Sequence, residues 1–398
     1  MIELWKRLDL TTELAPFMQR HTGIGLRTAH TAEGPGGFIE ACLTMATKNM
    51  VSGIHNWGYV GSDAITLRSE AKNVPGWRKA AKFLAYWPQI TIHDGEDSTG
   101  NILSKANQDH FVRWTKLRHP DGVHLYTADG GFDFSGDYNA QEDSIFPLLL
   151  AESIIGLRSL GKGGCMIIKC FDTTEQPTLD LLWLLSRAFR AWGISKPHTS
   201  RSGNAERYFI GKGYLGPSFD IINMLEAYQA KQQFTLPILA QPVECESWKP
   251  TMDLIQQLQA DIEQMEIVVI RQTLDLIKTT DPMVIEKLVR ENVNRSIEWC
   301  KNHDEEITMT WVTEMDKNVA KETQDLLNIL NPPPHNVPYS YANWTNRSTV
   351  SNTLVFDNFR TGESTTPTQT PVVNPFMRLK TIKPSHSTMF GSSVTSSS

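Results

Sequence analysis

The feature that most constrains this chain is a rhythm. From its start to about residue 225, short β-prone apolar runs alternate with segments whose apolar residues recur every three or four positions. "GLRTAHT", "LAYWPQITIH", "GVHLYTA", "CMIIKCF" and "AERYFIGKGY" read as strands, with "FIEACLTMATK", "SIFPLLLAESIIGLRSL" and "PTLDLLWLLSRAFRAWG" as helices between them. Parallel strands need a crossover connection of a dozen or more residues, and a helix is the usual one. The alternation therefore predicts an α/β domain with a doubly wound, mostly parallel sheet. One run carries a tension. Cys165 to Ile168 are apolar without alternation, as in a strand covered on both faces, yet the next residue is Lys169. Its ammonium must either reach water along the methylene stem or serve a ligand.

Beyond residue 228 the pattern changes. Residues 1–228 read as the sheet domain, 229–332 as a helical extension, and 333–398 as a Ser/Thr/Pro-rich tail too poor in apolar residues to offset its ordering entropy, hence disordered. The length of 398 residues suits one large domain with an appendage. A formal charge of -6 excludes a globally basic nucleic-acid binder, so any RNA site must be a local groove. The five cysteines are scattered, with no CxxC pair and no histidine at zinc spacing, which predicts a reducing compartment and no metal. "MIELWKRLDL" lacks the apolar run of a signal peptide, and no apolar stretch is long enough to cross a bilayer. The expectation is an intracellular protein of cytoplasm or nucleus, not secreted, with no membrane partner.

In such a sheet, ligands bind at the carboxyl ends of the strands. "AEGPGGF" offers three glycines, Gly34, Gly36 and Gly37, that let the backbone turn and approach a ligand, although a simple strand-to-helix turn explains them as well. "HDGEDSTGN" ends a strand on Asp94, Glu96 and Asp97, acids able to accept bonds from ribose or adenine, or merely to solvate a loop. "TADGGFDF" places Asp129 before two glycines, and "KCFD" places Lys169 at the next strand end. Neighbouring strands lie about 5 Å apart, so Asp129 and Lys169 can share a site, or form an ordinary ion pair. "GLRSLGKG" imitates a phosphate loop but follows a helix and precedes a strand, and is read as a helix C-cap.

Taken together, "AEGPGGF", "YTADGGFDFSGDYNAQE", "GGCMIIKCFD" and "KPHTSRSGNAERYFIGKGY" resemble, in order and interval, the FtsJ-like 2'-O-ribose methyltransferases. Within that group they are most similar to the adrift-type enzymes acting on capped mRNA. The resemblance covers about residues 30–216. It implies a Rossmann-like methyltransferase sheet, S-adenosylmethionine as cofactor and methylation of a ribose 2'-hydroxyl at the first transcribed nucleotides of capped mRNA. It also implies a catalytic Lys-Asp-Lys-Glu tetrad, in which Asp129, Lys169 and Glu206 match by motif. The first lysine aligns two ways in "ELWKRL": the apolar positions favour Glu3, and a shift of three favours Lys6, which is taken here. Glu33, Gly34, Pro35, Gly36, Gly37, Phe38, Asp94, Asp97 and Asp129 would hold the cofactor, and Ser200 and Arg201 the RNA. Trp57, Tyr59, Trp77 and Trp87 are aromatic enough to stack a cap but fit a core equally well. Implied partners are the capped mRNA 5' end, other capping enzymes and the transcription machinery. Cellular and virus-encoded origins both fit. A non-catalytic RNA- or capping-partner-binding module, and a methyltransferase of rRNA or tRNA, remain alternatives.

The chemistry explains the buried lysine. A hydroxyl attacks a sulfonium methyl only as its proton leaves, and general-base help of this kind is worth ~100- to 10,000-fold. A lysine with its usual pKa of ~10.4 accepts that proton only if burial or a nearby cation favours its neutral form.

Overall fold

The computed structural model describes residues 1–19, 25–51, 61–69, 76–77, 80–132, 140–239, 248–278, 281–307, 309–330 and 380–381. The first half of the chain runs α1 (Ile2–Arg7), α2 (Leu10–Gln19), β1 (Arg27–Thr31), α3 (Gly37–Val51), β2 (Gly61–Ile65), α4 (Ala81–Tyr86), β3 (Ile90–His93), α5 (Lys105–Arg118) and β4 (Val123–Ala128). It continues with α6 (Gln141–Ser159), β5 (Leu160–Cys170), α7 (Gln176–Arg187), β6 (Phe189–Ser195), β7 (Arg207–Tyr214) and α8 (Phe219–Lys231). The extension holds α9 (Trp248–Ile277), α10 (Pro282–Asn302), α11 (Met309–Thr313) and α12 (Met315–Leu330), and β8 (Lys380–Thr381) comes last.

The strands form one sheet in the order β3-β2-β1-β4-β5-β7-β6, with β8 pairing onto the edge of β6. Neighbours from β3 to β5 are parallel, whereas β7 runs antiparallel to both β5 and β6. This is the doubly wound Rossmann-like sheet. The strand order reverses between β1 and β4, so the connections leaving them diverge and a crevice opens at their carboxyl ends. The glycine turn after β1 and Asp129 after β4 emerge together there.

Both faces are covered, as a parallel sheet requires. On one face Tyr126, Met166, Ile168 and Phe209 pack with α6, α7, α8 and the first half of α9. On the other, Leu125, Cys165, Ile167 and Tyr208 pack with Leu4, Trp5, Leu10 and Leu14 of α1 and α2. Met252, Ile255 and Leu258 of α9 join the main core, while α10 and α12 close around their own cluster of Ile285, Val289 and Val319. Asp281 begins α10 by accepting a bond from Met283 N at 2.9 Å, with Pro282 at the first helical position, where its missing N–H costs nothing.

Several local expectations shift. "LAYWPQITIH" divides into the end of α4 and β3, because Pro88 cannot extend the helix. "FRAWGIS" is β6 rather than the end of α7. The later glycines of "GLRSLGKG" do not cap a helix: α6 ends at Ser159, and Gly161 and Gly163 lie in β5 where its register against β4 shifts. Strand β2 and helices α5 and α8 carry weak sequence signals and were not anticipated. Residue 228 falls within α8, whose Ile222, Leu225 and Tyr228 belong to the sheet domain's core. Of the tail, only residues 380–381 are described.

Candidate active site

The register of β5 against β7 builds the centre of the site. Lys169 stands directly across from Tyr208, and Cys170 across from Arg207. Side chains alternate along a strand, so Lys169, Tyr208 and Glu206 share the face toward α1 and α3, while Arg207 points to the other. The Lys169 side chain is only 12% exposed; its Nζ lies 3.1 Å from Asp129 Oδ1 and donates to Asp129 O at 3.0 Å. A Cβ on Gly131 would stand 3.3 Å from that Nζ, so the glycine leaves the ammonium approachable. The Tyr208 hydroxyl lies 3.2 Å from Asp129 Oδ1 and 3.1 Å from Glu206 Oε1, and bridges the two carboxylates. Burial, then the charges of Asp129 and Glu206, push its phenol well above the usual range, so it keeps the proton it donates. Burial likewise raises the Asp129 carboxyl; Lys169 opposes this, and the neighbouring Glu33 and Glu206 add to it. Beneath Gly130, the fully buried Glu152 of α6 is held well above the carboxylate range, mainly by burial.

The glycine turn faces this cluster. Gly36 adopts φ 100°, a conformation open to glycine, and donates to Glu33 O at 2.5 Å. A Cβ on Gly34 would meet Gly76 O at 2.6 Å, whereas one on Gly37 would meet nothing within 4 Å. Gly34 is thus closed in by neighbouring backbone, and Gly37 borders open space. The Phe38 ring lies 5.6 Å from the Tyr208 ring, which ties the turn to the carboxylate cluster. Pro35 is exposed. Glu33 is buried; its Oε1 accepts from Thr127 Oγ1, and His30 Nδ1 lies 3.1 Å from Oε2. Among the described residues Glu33 Oε2 nonetheless has no hydrogen-bond partner, and neither does the buried Asp94 Oδ1 at the exit of β3. The other oxygen of Asp94 pairs with Arg68 at 3.0 Å.

Comparison with known proteins bears on this geometry. Residues 17–214 match the family model described as FtsJ-like methyltransferase. They form an FtsJ-like methyltransferase domain. The chain is 34% identical over 209 residues to cap-specific mRNA (nucleoside-2'-O-)-methyltransferase 2 of Danio rerio, which covers 51% of this chain and 26% of that protein. It is 30% identical over 239 residues to cap-specific mRNA (nucleoside-2'-O-)-methyltransferase 1 of Dictyostelium discoideum, covering 57% and 30%. It is 43% identical over 192 residues to probable methyltransferase EP424R of African swine fever virus, isolate Warthog/Namibia/Wart80/1980, covering 46% and 43%. The chain thus spans less than half the length of these relatives.

FtsJ-like methyltransferases use S-adenosylmethionine, and the residues present fit that cofactor. The buried acceptors left without partners, Glu33 Oε2 and Asp94 Oδ1, suit its amino and hydroxyl donors, and the open side of Gly37 suits close backbone approach. The carboxylates of Glu33 and Asp129 suit its positive charge. Asp97 sits differently. Its Oδ1 is occupied by Thr99 N at 2.9 Å, Thr99 Oγ1 at 2.7 Å and Asn107 Nδ2 at 2.9 Å, and these bonds hold its carboxyl below the usual range. It shapes the loop that presents Asp94.

The structure does not bring Lys6 to Asp129 and Lys169. Its Nζ pairs instead with Asp304 at 2.6 Å, and of the two aligned residues only Glu3 is buried. Buried Glu3 accepts from His198 N at 2.8 Å, Thr199 N at 3.1 Å and Thr199 Oγ1 at 3.2 Å. Although burial opposes it, those backbone bonds keep its carboxyl ionised below the usual range. Glu3 therefore braces the loop that carries Ser200 and Arg201. Ser200 is buried, with Oγ 3.3 Å from Asn204 Oδ1, and Arg201 is exposed. Trp77 and Trp87 pack around Ile39, Leu43 and Ala64, while Trp57 and Tyr59 lie outside the described residues. Tyr208 and Glu152 were missed in the sequence. Tyr208 follows Glu206 by two and so had to share its face, a signal that was legible; Glu152 looked like one polar residue in an apolar helix.

Among the described residues no group of three His, Cys, Asp or Glu side chains could hold a metal, and no helix is long and apolar enough to cross a membrane.

Proposed function

We propose that this methyltransferase domain methylates a ribose 2'-hydroxyl of RNA, at the first transcribed nucleotides of capped mRNA. One observation carries the chemistry: a largely buried lysine amine at a strand end, 3.1 Å from an aspartate and left approachable by Gly131. The cap as substrate is supported by the relatives described as cap-specific mRNA methyltransferases.

S-adenosylmethionine, when bound, supplies an electrophilic methyl group on a sulfonium. Lys169 takes the hydroxyl proton at Nζ from its neutral amine form and becomes the ammonium that the Asp129 carboxylate and carbonyl hold. Tyr208 keeps Asp129 and Glu206 at a set separation by bonding to both. The exposed Arg201, in the loop that Glu3 braces, suits an RNA phosphate. A second reading, cofactor binding without turnover, is favoured by one observation: Lys6 is engaged with Asp304, which leaves the tetrad's first cation unassigned.

Incubation with labelled S-adenosylmethionine and matched capped and uncapped RNAs separates these readings. The expected result is ribose label at the first nucleotides of the capped RNA, mapped by mass spectrometry, and its loss by about 100-fold or more in Lys169→Ala. Label on uncapped RNA alone would move the substrate to rRNA or tRNA, and bound cofactor without label on any RNA would establish the non-catalytic reading.

A further inference from the structure

We propose that Gln259 of α9, through the Arg207 guanidinium it holds, is a positioning residue for the catalytic cluster, so that the helical extension completes the active site. The inference rests on the proposed roles of Lys169 and Glu206.

Arg207 sits between Glu206 and Tyr208 but projects from the opposite face of β7, and it is fully buried. Its Nη1 donates to Gln259 Oε1, its Nη2 to Asp172 Oδ1 at 2.9 Å, and its Nε to Ala205 O at 3.0 Å; Glu266 Oε1 of α9 lies 3.8 Å from Nη2. The same Gln259 oxygen accepts from Thr173 N at 3.1 Å and Thr173 Oγ1 at 2.9 Å. Its amide nitrogen donates to Asp172 Oδ1 at 3.2 Å and to Glu263 Oε1 at 2.6 Å. One buried side chain thus joins residues 172 and 173, just past Lys169, to residue 207, flanked by Glu206 and Tyr208.

The location gives this join its consequence. Cys170 and Arg207 form the last rung of the β5–β7 ladder, and beyond it the two backbones part. Strand pairing sets Lys169 against Tyr208, but no rung fixes Glu206 against residues 172 and 173. The amide of Gln259 spans that gap, and Met252, Ile255 and Leu258, packed in the main core, keep α9 from moving with it. Catalytic geometry tolerates little error, and a displacement of ~1 Å can cost about 100-fold in rate. Without the Gln259 oxygen the guanidinium keeps Asp172 Oδ1 and Ala205 O, but its buried Nη1 is left without that acceptor, which favours a shift of β7 toward a new partner.

The test compares Gln259→Leu with Met252→Ala in the full chain. Met252→Ala loosens α9 in the core without touching Arg207. In the clamp variant kcat is expected to fall about 10- to 100-fold, with the dissociation constant of S-adenosylmethionine within about twofold of wild type. Amide exchange should quicken in peptides covering residues 170–174 and 204–208 but not in 123–128. Met252→Ala should lower Tm while leaving kcat and those two peptides unchanged. A Gln259→Leu kcat within twofold of wild type, or an equal kcat loss in Met252→Ala, overturns the proposal. Should the wild-type chain methylate no RNA, the proposed function falls, and exchange alone decides: faster at both strand ends supports the clamp, unchanged at both refutes it. If Gln259→Leu does not fold, Gln259→Asn, one methylene too short to span the gap, gives the same readouts.

Discussion

Tyr208 places one phenolic proton between the carboxylates of Asp129 and Glu206, and burial keeps that proton in place. Tyr208→Phe preserves the ring contact with Phe38 but leaves both carboxylates without that donor. A hydrogen bond to a charged group contributes about 1.5–3 kcal/mol, so kcat should fall about 10- to 100-fold with cofactor affinity little changed, as single-turnover rates and calorimetry would show. Glu266 makes a second prediction. Burial raises its carboxyl to about 7; Arg207 and Lys196 pull it down, and Asp172 and Glu263 push it up. The unfolded chain releases this proton near 4.5, so between that pH and about 7 the native state binds the extra proton. Stability from this group is therefore full below the unfolded pKa and is lost as pH rises through the folded one. In Glu266→Gln, the fall in Tm between pH 5 and pH 8 should be smaller than in wild type.

At the scale of elements, the helix-on-sheet contacts are close. A Cβ on Gly156 of α6 would stand 2.5 Å from Met166 Cε and 2.7 Å from the Tyr126 ring. The methionine end can swing away, but Tyr126 is fixed by its bond to Glu152 O at 2.8 Å and by Thr31. Gly156→Ala adds about 1 kcal/mol of helix propensity, yet overpacking costs about 1–3 kcal/mol, so a net loss in chemical denaturation is expected. The most legible strand has a plain cause. β5 is buried on both faces, and the unbroken apolar run from Cys165 to Ile168 follows directly from that. β2, "GSDAI", was not legible because its burial rests on polar groups: Asp63 is buried only because His93, Arg118 and His119 surround it. Burial opposes its charge, but the bonds from His119 and His93 win and hold its carboxyl far below the usual range. Partners so far apart in sequence leave no local pattern.

At the scale of the whole molecule, the extension has two parts with different ties. α9 contributes to the main core and contacts Arg207, whereas α10 and α12 pack chiefly on each other. A chain ending at residue 239 would expose the core surface that Met252, Ile255 and Leu258 cover, at about 1.5–3 kcal/mol per buried side chain. It should show a strongly lowered Tm or aggregate, while a chain ending at residue 278 should keep a Tm within a few degrees of the full chain. Differential scanning fluorimetry on both would check this.

The amino-acid sequence by itself determined the sheet class, the glycine turn, and the strand ends bearing Asp129 and Lys169, because burial on two faces and tight turns write themselves into neighbouring residues. The tertiary structure alone decided that Lys6 turns to Asp304 while Glu3 turns inward, that Tyr208 reaches Asp129, and that Gln259 ties the ends of β5 and β7 together. Those pairings reach across tens to hundreds of residues, and it is the register and packing of folded elements, not any local preference, that bring them within a hydrogen bond's length.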